Sequence, residues 1–245
     1  MNILKQAGSF TQYNIKNMDW IAEWSATSPT RNFMRRAIAL QNDEVRGVTV
    51  LDVGCGMGWF LEECLQMGAE RVYGIEPSNL ADLAQKAIPK AHITRQTFED
   101  YDVETSFGLI SFIMSIEHMP DIDLVLSKAS KLLSATGEIL ILAADYDRFQ
   151  EDKYGNVVTK EIIKPGKEMA VRIERPQSYG TTNDILRTVN YWKELFKKAA
   201  LKIVDHKTVL IDKEYVAEEP KRSVHLGHPI FQLFRLEGAN AGGKP

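Results

Sequence analysis

The chain has 245 residues, 44% of them hydrophobic, with 30 basic and 33 acidic side chains. That composition supports a buried core and excludes a disordered chain, and a formal charge of −3 supplies no excess to attract nucleic acid or an anionic membrane surface. Cys55 and Cys64 fit neither a redox nor a zinc spacing and cannot build a disulfide framework, which points to a reducing compartment. The N-terminus lacks the apolar core of a signal peptide, and no window reaches the ~18 apolar residues of a membrane span. A cytoplasmic protein is expected.

Helical periodicity runs from about Ile15 to Leu40. Trp20, Ile21 and Trp24 recur at helical spacing, Pro29 interrupts, and "TRNFMRRAIAL" reads as a second helix. Val48–Val53 is a continuous apolar strand, as expected where both faces of a parallel sheet are buried. A helix over Gly58–Met67 follows, ended by Gly68. Next come a strand at Arg71–Ile75, a helix at Leu80–Ala87 and a short strand at Ala91–Thr94. A fourth strand covers Phe107–Ser115, an amphipathic helix Ile122–Leu133 and a fifth strand Gly137–Ala143. This alternation predicts an α/β fold: a doubly wound, mostly parallel, seven-stranded Rossmann-like sheet with helices on both faces.

The rhythm breaks between Asp145 and Thr182, a polar stretch punctuated by glycine and proline. "VVTKEIIK" and "MAVRIER" within it have the character of paired strands. A segment this long is expected to be functional or disordered. A helix at Asp184–Ala200 and strands at Leu201–Thr208 and Ile230–Leu236 resume the pattern, and the tail "EGANAGGKP" reads as flexible. A single domain is expected. It comprises an N-terminal helical cap over 1–46, a binding core over 47–145, an insertion over 146–182 expected to cap the substrate, the remaining helix and strands over 183–237 and a tail over 238–245.

In such a sheet ligands sit beyond the carboxyl ends of the strands. Gly54, Gly56 and Gly58 lie there, in "VLDVGCGMGWF". The spacing departs from the dinucleotide fingerprint, because Trp59 stands where its third glycine belongs. No Walker lysine follows either. Glu76 ends strand two, where a carboxylate can accept both hydroxyls of a ribose. In "QTFEDY" Phe98 is placed to stack on a purine. A glycine turn without a phosphate cradle, a ribose clamp and an adenine wall describe a nucleoside that carries something other than phosphate.

"VLDVGCGMG", "YGIEPS", "QTFED", "FIMSIEHMPD" and "LLSATGEILI" resemble, in order, the motifs of class I S-adenosylmethionine-dependent methyltransferases, most closely the small-molecule group that includes ubiquinone-type O-methyltransferases. The resemblance covers about residues 47–145. It implies that Asp52 and the backbone of Gly54, Cys55 and Gly56, with Gly58 completing the turn, hold the amino-acid end of the cofactor. Glu76 would bind the ribose, Pro77 and Phe98 would flank the adenine, and Met114 would approach the methionyl part. Thr97 stands where many relatives carry aspartate, and its hydroxyl is placed to meet the adenine amino group.

Methyl transfer needs a nucleophile placed in line and relieved of its proton. His118 follows strand four and titrates near neutral pH when unperturbed. It reads either as a general base or as a residue that orders the "EHMPD" turn. Some relatives bind a metal with E-x-x-E-H here, but Met114 replaces the first glutamate, so no metal is expected. His225 and His228 have a possible ligand spacing without a carboxylate companion. Asp145, Tyr146 and Asp147 follow strand five, placed to bind or deprotonate an acceptor, and Tyr13, Trp20 and Trp24 read as a lid or as core aromatics. The expectation is methylation of O or N on a small-molecule acceptor, without nucleic acid or membrane. The alternatives are an NAD-dependent oxidoreductase and a non-catalytic cofactor-binding module.

Overall fold

The computed structural model describes residues 28–149, 157–175 and 180–239. Tyr13, Trp20, Trp24 and the first expected helix lie outside the described residues, as does most of the tail.

Helix α1 (Pro29–Ile38) begins at Ser28, whose hydroxyl accepts the N–H of Arg31. Pro29 opens this helix, at a position where its missing N–H removes no bond. The short α2 (Asn42–Val45) follows. Strand and helix then alternate through β1 (Thr49–Val53), α3 (Trp59–Gln66), β2 (Arg71–Ile75), α4 (Leu80–Ala87), β3 (His92–Thr94), β4 (Phe107–Ile113), α5 (Ile122–Leu132) and β5 (Leu133–Ala144). The insertion holds β6 (Val157–Lys164), β7 (Glu168–Arg175) and β8 (Gly180–Arg187). The chain closes with α6 (Val189–Lys198), β9 (Leu201–Leu210), α7 (Lys213–Glu218) and β10 (Pro229–Gly238).

The expected seven-stranded sheet is present, in the order β3-β2-β1-β4-β5-β10-β9. β1 to β5 are mutually parallel, and β10 runs antiparallel to both β5 and β9. β1 sits between β2 and β4, so the order reverses there, and the crevice beyond its carboxyl end is the expected ligand position.

Two-residue alternation divides the core between the faces. Leu51, Val53, Ile110, Phe112, Phe234 and Leu236 pack with Trp192 and Phe196 of α6. Val50, Leu109, Phe231 and Leu233 pack with Phe33 of α1 and Phe60 of α3. Burial on both faces is why these strands read as unbroken apolar runs.

Element boundaries differ from expectation at several points. β5 begins at Leu133, earlier than Gly137. The helix expected from Asp184 starts only at Val189, because Thr188 is its cap: the Thr188 hydroxyl accepts the N–H of Tyr191 at 3.3 Å. Residues 180–187 instead form β8, paired antiparallel with β7, so the insertion extends to Arg187. Finally, periodicity assigns nothing between the two late strands, where α7 and a 3₁₀ turn at Pro220–His225 lie.

The stretches "VVTKEIIK" and "MAVRIER" do pair, as β6 and β7, and with β8 they make a separate three-stranded sheet. Met169, Val171, Ile173 and Leu186 from that sheet pack on Ala144, Met114 and Tyr146. The insertion therefore sits against the carboxyl ends of β4 and β5.

Candidate active site

The turn after β1 is built by its own amides. Gly54 N and Cys55 N both donate to the carbonyl of Ile75, at 2.7 and 3.0 Å. Gly56 N donates to Glu76 Oε2 at 3.0 Å, and Ser78 N donates to Glu76 Oε1 at 2.9 Å. Three successive N–H groups are thus spent on the end of β2. A phosphate cradle needs such groups unspent and aimed outward, so this turn is no pyrophosphate site.

Glycine is required here for two reasons. Gly54 has φ +75°, and a Cβ on it would stand 2.4 Å from Ser115 Cβ. The β1 turn therefore lies directly against the β4 turn, which brings Met114 and Ser115 beside it. Gly56 has φ +55°, and a Cβ there would approach nothing nearer than Leu80 Cδ1 at 4.0 Å. The space beside Gly56 is open, as a ligand lying on the turn requires.

Glu76 is buried, at 6% exposure. Each of its carboxylate oxygens accepts one backbone N–H and keeps a further lone pair for a ribose hydroxyl. Asp52 is buried on β1 at 3% exposure, and Ser111 Oγ donates to its Oδ1 at 2.7 Å. Burial pushes the Asp52 carboxyl up to about 7, the nearby Glu76 adds to this, and the Ser111 bond opposes it. The Cys55 side chain is buried beneath the turn, with its thiol pushed up by burial. Met114 is a non-glycine residue with φ +53°, a backbone strain of the kind that gathers at functional sites.

Asp52, the glycine turn, Glu76 and Met114 are brought to one crevice, and Pro77 stands half-buried beside Glu76. Phe98 departs from expectation. Its ring is 2% exposed, packs edge-on to Phe112 and carries the Lys128 ammonium 5.6 Å from its centroid. It belongs to the core and offers no free face to a purine. Thr97 is half-buried, and its hydroxyl donates to Asp100 at 2.7 Å.

On the other side of the crevice, β4 ends in a 3₁₀ turn, Ile116–His118. The His118 side chain is 23% exposed, and its Nδ1 lies 3.6 Å from Asp184 Oδ1. Asp145 uses both oxygens internally: Oδ1 accepts Asp147 N at 2.8 Å, and Oδ2 accepts Gln232 Nε2. Its carboxylate shapes the loop after β5. A cleft of about 360 Å³ opens there, lined among others by Asp145, Tyr146, Asn190, Thr208 and Gln232. Among the described residues no three His, Cys, Asp or Glu side chains converge as metal ligands.

A family model of the methyltransferase domain matches residues 16–206. The chain belongs to this methyltransferase family. The identification from sequence, a class I methyltransferase dependent on S-adenosylmethionine, is borne out by family and fold. The methyltransferase is similar to a tRNA U34 carboxymethyltransferase of Idiomarina loihiensis, 25% identical over 80% of this chain and 56% of that protein. It also resembles a ubiquinone biosynthesis O-methyltransferase of Nitrobacter winogradskyi, 34% identical over 44% of this chain and 42% of that one. The chain spans about half the length of these curated relatives. Among solved structures, an S-adenosylmethionine-dependent methyltransferase from Mesorhizobium loti superposes with a TM-score of 0.63 at 20% identity, covering 88% of this chain and 97% of that one. A 1,6-didemethyltoxoflavin-N1-methyltransferase from Burkholderia thailandensis, with its substrate and S-adenosylhomocysteine bound, superposes with a TM-score of 0.60 at 17% identity, covering 96% and 87%.

Sequence reasoning missed three residues of the methyltransferase's crevice. Glu117 is 1% exposed, its Oε1 accepts the N–H of Ala144, and its Oε2 has no hydrogen-bond partner among the described residues. Burial pushes this carboxyl up to about 7, with Asp184 adding to the effect and Arg187 opposing it. Asp184 and Arg187 come from β8, at 2% and 1% exposure. "IEH" stood in a quoted motif, but the reading of residues 184–200 as one helix hid the other two.

Proposed function

We propose that this methyltransferase moves the methyl group of S-adenosylmethionine to an oxygen or nitrogen of a small-molecule acceptor. The observation that carries the reading is the glycine turn whose amides are spent on Ile75 and Glu76. Such a turn rejects a phosphate yet leaves open space at Gly56 beside a ribose-competent carboxylate. Asp52, the turn backbone, Glu76, Pro77 and Met114 would hold the cofactor. Bound there, it supplies an electrophilic methyl group.

The chain's own residues then position an acceptor and receive its proton. The cleft after β5 is at the lower end of the volume range of small-molecule sites, and its lining mixes polar and apolar side chains. Asp145 and Tyr146 would contact the acceptor there, and His118 is the candidate base, because its ring keeps some exposure while each Asp145 oxygen already accepts one N–H. The formal charge of −3 supplies no excess for a polyanionic acceptor such as RNA. No described helix is long and apolar enough to cross a membrane.

The test uses methyl-labelled S-adenosylmethionine and two cell-extract fractions, one of small molecules and one of RNA. Label is expected in the small-molecule fraction. Label confined to RNA would refute the acceptor class, and absence of measurable S-adenosylhomocysteine binding by calorimetry would refute the cofactor.

A further inference from the structure

The histidine at the end of β4 does not stand alone. Its Nδ1 faces Asp184, a buried carboxylate in the middle of β8, the last strand of the insertion, at ion-pair distance, 3.6 Å. The opposite edge of the ring carries Nε2, and the side chain keeps 23% of its exposure. At 3.6 Å this is an ion-pair approach longer than a hydrogen bond, and catalytic contacts are often long in the ligand-free state and tighten once substrate is bound.

Two restraints hold this meeting in place. Arg187, on the same strand as Asp184, donates to the carbonyls of Ile116 and Met119 at 3.3 and 3.1 Å, and so brackets His118 from both sides. Glu117 accepts the N–H of Ala144, which ties the turn to the end of β5. Among the described residues, the charges near the pair include Glu117 on its own turn, Arg187 on β8 and Glu168 on β7. Arg187 is matched by Glu168, with Nε to Oε1 at 2.8 Å.

We propose that Asp184 is a positioning residue for His118, so that the insertion strand β8 supplies the carboxylate that keeps the imidazole proton on Nδ1 and the lone pair on Nε2. The inference rests on the methyltransferase reading and deepens it: the insertion completes the base. In the step served, the acceptor's O–H or N–H bond breaks and its proton passes to His118 Nε2. The freed electron pair forms the bond to the methyl carbon, and the carbon–sulfur pair stays on sulfur. The imidazolium so formed lies against Asp184, which stabilises it.

The test is nuclear magnetic resonance of the imidazole rings, which needs no acceptor. The chain has five histidines, and H118Q identifies the signal. In the wild type, nitrogen shifts are expected to show the proton on Nδ1. In D184N the titration midpoint of His118 should fall by about one unit, because an opposite charge has been removed, and D184E should restore most of it. A midpoint and tautomer unchanged in D184N overturn the proposal. Should D184N fail to fold, the wild-type tautomer decides alone, and a proton on Nε2 overturns it. Calorimetry with S-adenosylhomocysteine on the same proteins separates the two claims. Wild type that fails to bind it refutes the methyltransferase reading, whatever the ring signals show.

Discussion

Glu76 Oε2 accepts the N–H of Gly56 at 3.0 Å, so one carboxylate at the end of β2 ties down the turn after β1. Its other oxygen accepts Ser78 N at 2.9 Å and orders the chain entering α4. Glu76 thus has a structural duty that exists before any ligand arrives. Replacing it by alanine removes two charge-assisted bonds and the ribose acceptor together. Glu76→Ala is expected to weaken S-adenosylmethionine binding by about 1.5–3 kcal/mol and to lower the melting temperature as well. Calorimetry and thermal melts check both. A lower melting temperature with unchanged affinity would make Glu76 a clamp of the turn and nothing more.

The two glycines that flank Cys55 should fail differently. Alanine at Gly54 puts a Cβ 2.4 Å from Ser115 Cβ, at φ +75°. That clash adds to the ~1–2 kcal/mol cost of a left-handed residue, so Gly54→Ala should lose about 3 kcal/mol or more in denaturant unfolding. Alanine at Gly56 meets only Leu80 Cδ1 at 4.0 Å. Gly56→Ala should therefore stay within about 1–2 kcal/mol of wild type in stability and lose at least about tenfold in cofactor affinity, because its methyl enters the open space. Equal stability losses, with affinity intact at Gly56, would show that the ligand lies elsewhere.

Much of this was legible before any coordinates. The β1 to β5 alternation is written in apolar runs because both faces of those strands are buried, and the carboxyl-edge placement of Gly54, Gly56 and Glu76 follows from that order. Two things resisted. "DIL" in 184–186 continues the apolar spacing of the helix beyond it, and only pairing with β7 makes it a strand, so Asp184 could not be aimed at His118 from sequence. Phe98 reads as a purine wall from its place after strand three. Its burial depends on Phe112 across the fold, a contact that local pattern does not contain.

Stability should fall as pH rises through the window set by Asp52 and Glu117. Both carboxyls stand at about 7 in the folded chain, above their ordinary values of 3.8 and 4.5, chiefly through burial. Between about pH 4 and pH 7 the native state therefore holds more protons than the unfolded chain. Their contribution is complete at the acid end of that window and is lost as pH rises through about 7. Asp52→Asn and Glu117→Gln remove the titration and keep an acceptor for Ser111 and for Ala144. Each variant should gain on wild type in denaturant midpoint between pH 5 and pH 8. A difference that does not change with pH would mean that these groups are ionised throughout.

A buried charge pair joins two strands of the insertion, and its arginine ties them to the turn after β4, which makes removal of the insertion hazardous. Arg187 has a fully buried side chain, and Glu168 Oε1 receives its Nε at 2.8 Å. Lys164 stands 3.3 Å from the same carboxylate but is half exposed, so it can turn to water. Arg187 has no such escape, since it lies beneath β7 and against the carbonyls of Ile116 and Met119. Cutting out the insertion would remove both charges together with the ties of Arg187 to Ile116 and Met119, and so confuse a folding defect with a catalytic one. Point changes separate them. Glu168→Ala should destabilise by about 3–5 kcal/mol, the usual penalty for orphaning a buried ion. Glu168→Met combined with Arg187→Met should recover most of that loss, because two apolar side chains of similar length need no pairing. The double variant also loses the bracket around His118. It should fold nearly as well as wild type, bind S-adenosylmethionine within about threefold, and transfer methyl groups far more slowly, because positioning supplies much of the rate. A double variant that is both stable and fully active would show that the β8 bracket has no part in the chemistry.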